Sequence, residues 1–466
     1  MAAGPPGRPG ATVGGDPHGL REDHMLRYYL FLALKSLRRT PGLTALMVSA
    51  IGLGISACIV TLTVYHAMSG NPIWWKNRVL YAVTVDPRPA PQAGSAANPN
   101  GAPDQLTYLD ATSLYRSKIP RYKALIVDMA GGLRGAPGQT WAVLANALGT
   151  SGGFFRMFDV PFEYGGPWSA TSSPEPLPVL VLSRHENEKL FGGADSVGRT
   201  LLFNHHPFRI VGVLDQWDPE PRFYDMTVNA FGHSPDVFVP FGWDAKLRLW
   251  PNGRMSCWSS STASGFQQLL GSNCVWILMW VELPNAGSVA RFRNFLAAYW
   301  AQQHNAGRFQ RPHNYHLWRV NQWLVHHHVV TNNSRLLLRL AFAFLAVCLI
   351  NTVGVELTKF LRTAPLSGFR RALGASRRQI IEQHLVETAL IAIAGAALGL
   401  ALSWAELHAI HALYSGTQDA YGQLAHFGSL GVLWALGLAA LATLAGGLYP
   451  AWRIGQISPA RFLNSQ

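Results

Sequence analysis

Residues Gly193-Ala194-Asp195-Ser196-Val197-Gly198-Arg199-Thr200 come within one substitution of G-x-x-x-x-G-K-[ST], the loop whose backbone N–H groups cradle phosphates. Arg199 replaces the lysine and no apolar run ending in Asp accompanies it, so the segment reads as a turn between a helix and a strand. The run His326-His327-His328, with His313 and His316 nearby, offers imidazoles for a metal. No acidic or cysteine ligand is clustered with it in sequence, and adjacent strand residues face opposite ways. It reads as a solvated or interfacial run, and no metal site is expected. His205-His206 reads as a turn before Pro207. No Ser-His-Asp set or carboxylate pair supports catalysis, and the chain is not expected to hydrolyse ATP or to be an enzyme.

What remains is electrostatic. Arg370, Arg371, Arg377 and Arg378 surround Ala372-Leu373-Gly374-Ala375, with Phe369 just ahead. Small residues permit close approach, and guanidinium groups make two-pronged contacts with carboxylates. The segment is either a cytoplasmic anchor for neighbouring membrane spans or a short helix that docks in a groove of another protein.

The elements that must position this segment are apolar. Of 466 residues, 49% are hydrophobic and only 14% charged, which excludes an intrinsically disordered chain. Mean hydropathy, +0.11, is too modest for spans alone and fits a few spans attached to a large water-facing domain. Four stretches are long enough to cross a hydrocarbon layer of about 30 Å: 43–68, 336–358 with Arg339 snorkelling, 381–405 and 426–452. Gly52 and Gly54 in the first, and Gly395 and Gly399 in the third, provide small faces for helix contact. Cys58 and Cys348 fall in spans and read as packing residues.

Orientation follows from Lys and Arg in the short flanks. Arg21, Arg27, Lys35, Arg38 and Arg39 precede the first span. Lys359, Arg362, Arg370, Arg371, Arg377 and Arg378 lie between the second and third, and Arg453 and Arg461 follow the fourth. The loop 406–425 has none. Both termini and the segment 359–380 are therefore expected in the cytoplasm, and residues 69–335 outside. The net charge of +13 reads as topology, so membrane lipid is an expected partner and nucleic acid is not.

Residues 1–24 are expected to be disordered, with Met25 a possible start alongside Met1. Residues 25–42 read as an amphipathic helix on the cytoplasmic membrane surface, and 453–466 as a cytoplasmic tail. Within 69–335, strands are expected at 78–85, 200–203 and 208–214, helices at 183–191 and 289–302, and a loop at 87–103. The Pro- and Gly-rich stretch 215–273 reads as an inserted lobe. The fold class is an α-helical membrane protein with four transmembrane helices and a large α+β periplasmic domain inserted between helices 1 and 2. Cys257 and Cys274 both lie in that domain, where an oxidising compartment favours a disulfide.

Three local sequences carry a resemblance. One is Gly368-Phe369-Arg370-Arg371-Ala372-Leu373-Gly374-Ala375-Ser376-Arg377-Arg378-Gln379-Ile380. The second is Gly446-Gly447-Leu448-Tyr449-Pro450-Ala451-Trp452-Arg453, followed by Ile457-Ser458-Pro459-Ala460. The third runs through Val181-Leu182-Ser183, Lys189-Leu190-Phe191-Gly192, Val197-Gly198-Arg199-Thr200-Leu201 and Ile210-Val211-Gly212-Val213-Leu214. Together they resemble the MacB-like and FtsX-like permease family of ABC transporters over nearly the whole chain after Met25.

The resemblance implies a bacterial inner-membrane subunit that dimerises with a second copy or a paralogue and works with a separate cytoplasmic ABC ATPase. That partner would hold ATP and magnesium, while this chain binds no cofactor. Phe369, Arg370, Arg371, Ala372, Leu373, Gly374, Ala375, Arg377 and Arg378 would then be the ATPase-coupling residues. Pro365-Leu366-Ser367 departs from the family, which usually has an acidic residue shortly before the Arg pair. This implies altered docking, or an acidic group supplied by a partner permease. The leading expectation is efflux of a periplasmic substrate through an adaptor and an outer-membrane channel. The alternatives are an FtsX-like envelope regulator that activates a cell-wall hydrolase, or a lipoprotein-releasing permease. The large external domain favours the first.

Overall fold

Pro17, with no N–H to satisfy and φ already fixed near the helical value, opens the first helix of the computed structural model. The structure describes residues 17–90, 102–135, 141–169, 176–231, 234–258, 265–312, 314–329, 332–372, 374, 376–414, 431–442 and 444. Helix α1 (Pro17–Arg39) begins before the expected Met25, so residues 17–24 are helical. Thr40 separates it from α2 (Pro41–Ser69), which covers the expected first span.

The chain then forms a separate compact unit over His66–Thr331. Strand β1 (Leu80–Val85) and helix α3 (Tyr108–Tyr115) lead into a long hairpin, β2 (Tyr122–Arg134) and β3 (Val143–Thr150). After α4 (Gly153–Met157) come β4 (Phe162–Gly165), β5 (Val179–Leu182), α5 (Arg184–Phe191), β6 (Thr200–Phe203) and β7 (His206–Leu214). Next are β8 (Val237–Pro240), α6 (Trp243–Leu247), α7 (Phe266–Gly271), β9 (Leu278–Glu282), α8 (Ala286–Asn305), β10 (Tyr315–Arg319) and α9 (Val320–His326). Ser183 caps α5 by accepting the Glu186 N–H, and Gly192 ends it in the left-handed conformation, φ 64°.

The ten strands among the described residues join one sheet, ordered β10-β1-β9-β2-β3-β8-β5-β7-β4, with β6 bridging β2 and β7. Only β3–β8 and β5–β7 run parallel. Both faces are covered. Tyr81, Val83 and Val85 of β1 pack with Leu114 of α3 and Phe292 and Leu296 of α8. Leu80 and Ala82 face the opposite core, with Phe154 of α4 and Trp323 of α9. This is the expected α+β domain, with one correction. Residues 215–273 do not stand apart as a lobe, because Val237–Pro240 pairs with both β3 and β5 inside the sheet, and Phe223 and Tyr224 are buried in the second core. Four residues ending in Pro are too short to announce a strand by alternation.

Two long helices complete the other unit, α10 (Asn332–Ala372) and α11 (Arg377–Tyr414). Among the described residues, three helical stretches are long and apolar enough to cross a membrane: Pro41–His66, Ser334–Lys359 and Arg377–Ile410. Large apolar side chains such as Leu53, Leu336, Phe344, Ile350 and Ile393 are exposed along them, as a lipid-facing surface requires. Both long helices overrun the expected spans. Residues 359–372 continue α10 through Pro365 and form no separate helix, and α11 runs on past 405. Of the expected fourth span, 426–452, the apolar helical stretch Gly431–Ala442 and Leu444 are described. The Tyr449-Pro450 motif and the tail 453–466 lie outside the described residues.

Candidate coupling site

The basic segment forms the connection between α10 and α11. Phe369, Arg370, Arg371 and Ala372 lie in the backbone of the last turns of α10, and Leu373 and Ala375 lie outside the described residues. Gly374 has φ +103°, a conformation that L side chains rarely adopt. Ser376 and Gln379 then cap α11 reciprocally. The Gln379 N–H donates to Ser376 Oγ (3.3 Å), and the Ser376 N–H donates to Gln379 Oε1 (3.0 Å). Arg377 and Arg378 are both exposed; Arg378 Nε donates to Glu382 Oε1 at 2.7 Å, one turn along the same helix. The result is a helical hairpin with arginines at its tip.

Behind the tip sits an ion pair that local sequence reading missed. Lys359 Nζ of α10 donates to Glu387 Oε1 of α11, and both side chains are nearly buried. Ser36 Oγ of α1 donates to the same oxygen at 2.7 Å, so three helices meet at one carboxylate. A signal was available, because an ionisable residue inside an apolar span is costly and seeks a partner.

The small residues lie where α2 meets its neighbours. A Cβ on Gly395 would stand 2.6 Å from Ile51 Cγ2, and one on Gly399 would stand 2.9 Å from the Gly52 carbonyl oxygen. A Cβ on Gly52 would meet Leu398 Cδ2 at 3.0 Å, and one on Gly54 would meet Leu345 Cδ1 at 2.8 Å. These glycines let α2 approach α11 and α10 within one chain. Ser56 Oγ adds a hydrogen bond to Glu406 Oε2 at 3.1 Å.

In the sheet domain, Cys257 and Cys274 are joined, with their sulfurs 2.02 Å apart. Gly193–Thr200 forms a turn from α5 into β6, where the Gly198 N–H is used by the Ile210 carbonyl at 2.8 Å. The histidine run is not simply solvated. His326 Nε2 lies 2.8 Å from Asp104 Oδ1 and its ring stacks on Trp318, while His327 Nε2 is 3.8 Å from Asp104 Oδ2. Burial pushes the His327 imidazole below its usual pKa, against the pull of Asp104. Asp104 is more than two hundred positions away, which is why sequence proximity missed the acid. Among the described residues, no three His, Cys, Asp or Glu side chains are placed to hold a metal.

Comparison with known proteins follows the same division. Residues 44–293 match the MacB-like periplasmic core domain, and residues 339–459 match the FtsX-like permease C-terminal region. The macrolide export ATP-binding/permease protein MacB of Neisseria gonorrhoeae is 24% identical over 260 residues, 56% of this chain and 35% of that protein. The protein of the same name from Salmonella typhi is 23% identical over 366 residues, 77% of this chain and 49% of that one. The chain thus spans half or less of the length of these relatives. The periplasmic region of MacB from Actinobacillus actinomycetemcomitans aligns with 56% of this chain and 96% of its own, at 12% identity and a TM-score of 0.32. The extracellular domain of the transporter YknZ from Gram-positive bacteria aligns with 51% and 98%, at 13% identity and a TM-score of 0.31. The first match alone takes in more than half of the 466 residues and the second continues it to residue 459, so the chain belongs to the MacB-like, FtsX-like family of ABC transporter permeases.

Proposed function

We propose that this chain is the transmembrane permease subunit of an ABC-type exporter, driven by an ATPase that docks on the tip between α10 and α11. In this reading four helices cross the bacterial inner membrane, the fourth over 426–452. The sheet domain lies between the first and second, in the periplasm. ATP and magnesium are held by the ATPase, and this chain contributes no nucleotide site and no cofactor. A second permease copy or a paralogue completes the dimer, and an adaptor and outer-membrane channel carry the periplasmic substrate onward.

The observation that supports this most is the hairpin itself. A 41-residue helix, about 60 Å long at 1.5 Å per residue, carries a load along its axis with no loop to absorb it. Its turn is short and presents Arg377 and Arg378 to solvent, where they can meet carboxylates on a partner. The ion pair behind the turn ties α10 to α11, so displacement at the tip moves both helices together.

Replacing Arg370 and Arg371 together by Glu tests the reading. Copurification of the ATPase should fall, and permease-dependent stimulation of ATP hydrolysis should be lost. Membrane insertion should survive, because Lys359, Arg362, Arg377 and Arg378 still mark the loop as cytoplasmic. Undiminished ATPase binding and stimulation in a correctly inserted variant would remove the docking role from this segment.

A further inference from the structure

A cavity of about 260 Å³ opens in the sheet domain between the segments 102–105 and 254–258 and the end of α9. Its charges are unevenly matched. Arg88 is clamped in the wall by Asp86, with Nε and Nη2 each 2.7 Å from a carboxylate oxygen. Asp104, the one acid among the described residues lining the cavity, has its Oδ1 against His326. Among the described residues, no carboxylate pairs with Arg254, whose side chain is exposed to the cavity and to solvent. His327 Nε2 also reaches this wall and is buried without a hydrogen bond. Ala102, Pro103, Met226 and Val275 give the lining its apolar part, beside Gln105, Thr227, Ser256 and Trp258.

The backbone at Arg254 is held in place. Its N–H donates to the Thr227 carbonyl at 3.3 Å, and two residues on, Ser256 and Val275 exchange backbone hydrogen bonds of 3.2 and 2.9 Å. The Cys257–Cys274 bridge lies immediately beside that pair. The anchored backbone sets where the guanidinium stands, and only its side-chain rotamers remain to be ordered when it binds an anion.

We propose that this cavity binds a small organic carboxylate, its charged end on Arg254 and its apolar body against Met226 and Val275. A cation has no free acid to meet there, since Asp104 is already engaged. A bare inorganic anion would leave the apolar wall unused. The volume limits the ligand to something the size of an amino acid or smaller. The site rests on this domain alone and holds whether or not the chain drives export.

The full chain in lipid nanodiscs is titrated calorimetrically with butyrate and benzoate, with the matching amides, and with inorganic phosphate. At least one acid should bind about tenfold or more tightly than its amide, and Arg254→Gln should erase that preference. Arg254→Lys should keep part of it, since the charge remains without the planar fork. Arg254 is exposed and lies outside both hydrophobic cores, so these variants are expected to fold. Equal affinity for acid and amide overturns the proposal. So does a preference that survives Arg254→Gln, phosphate binding as tight as either acid, or no heat from any acid at about 10 mM.

Discussion

Lys359 of α10 and Glu387 of α11 form a nearly buried ion pair, and Ser36 of α1 donates to the same carboxylate oxygen. Such a pair adds little net stability, because desolvation offsets its attraction, but removing one member strands the other. Glu387→Gln or Lys359→Met alone should therefore destabilise the helical unit by about 3–5 kcal/mol. The double replacement Lys359→Met with Glu387→Leu should recover most of that loss. Thermal unfolding in detergent reads the difference, and single variants as stable as the parent would show that the pair is not desolvated.

The glycines between α2 and α11 give an ordered series. Gly399→Ala drives a methyl toward the Gly52 backbone oxygen at 2.9 Å, which cannot give way. Gly395→Ala meets Ile51 Cγ2 at 2.6 Å and Ile51 Cβ at 2.9 Å, and Ile51→Ala, which removes Cγ2, can relieve part of the clash. Overpacking of this kind costs roughly 1–3 kcal/mol, partly offset by the better helix propensity of Ala. Gly354→Ala is the control. Nothing lies within 4 Å of its would-be Cβ, so only the propensity gain applies. The expected stability order is Gly354→Ala at or above the parent, with Gly395→Ala and Gly399→Ala both below it.

Glu220 makes a prediction with a definite sign. Burial first, and the Asp218 carboxylate second, raise its pKa from the ordinary 4.5 to about 7. Its Oε1 is buried without a hydrogen bond. The folded state therefore holds the proton longer than the unfolded chain does. Its stabilising share is present below about pH 4.5 and is lost as pH rises through about 7. Glu220→Gln, which never ionises, should match the parent at pH 4.5. At pH 8 it should be more stable by about 1–2 kcal/mol, allowing for partial exposure. Chemical unfolding of the full chain at the two pH values checks this, and a gain of equal size at both would remove the ionisation from the explanation.

Local signals carried part of this fold. Ser183 at the start of α5 and Gly192 at its end are cap residues readable in place, and the apolar runs of the spans need only length. The hairpin β2–β3 escaped because Ala130, Gly131, Gly132, Ala145 and Ala147 give its strands little β-branched or aromatic character. Pro365 lies inside α10, which tolerates it at the loss of one backbone hydrogen bond, so the helix runs on past the apolar length that bounds the span. Asp104 with His326, and Lys359 with Glu387, are relationships between segments. No window of sequence contains them, so charge and composition could only show that partners were needed.

The turn at Gly374 links the hairpin geometry to its proposed work. Its φ of +103° is open to Gly, tolerated to a degree by Asn, and strained by roughly 1–3 kcal/mol for a β-branched residue. Among the described residues no atom lies within 4 Å of a Cβ built there, so a substitution acts chiefly through the backbone. A strained residue would relax by re-forming the turn, which changes how Arg377 and Arg378 are presented while the ion pair behind it stays closed. Stimulation of the ATPase should therefore fall in the order Gly374, Gly374→Asn, Gly374→Val. Membrane insertion and the unfolding midpoint should change far less. ATPase assays on reconstituted complexes of the three chains provide the ranking. Equal stimulation by all three would mean that the partner does not sense the shape of this turn, and the mechanical link would have to run through another part of the chain.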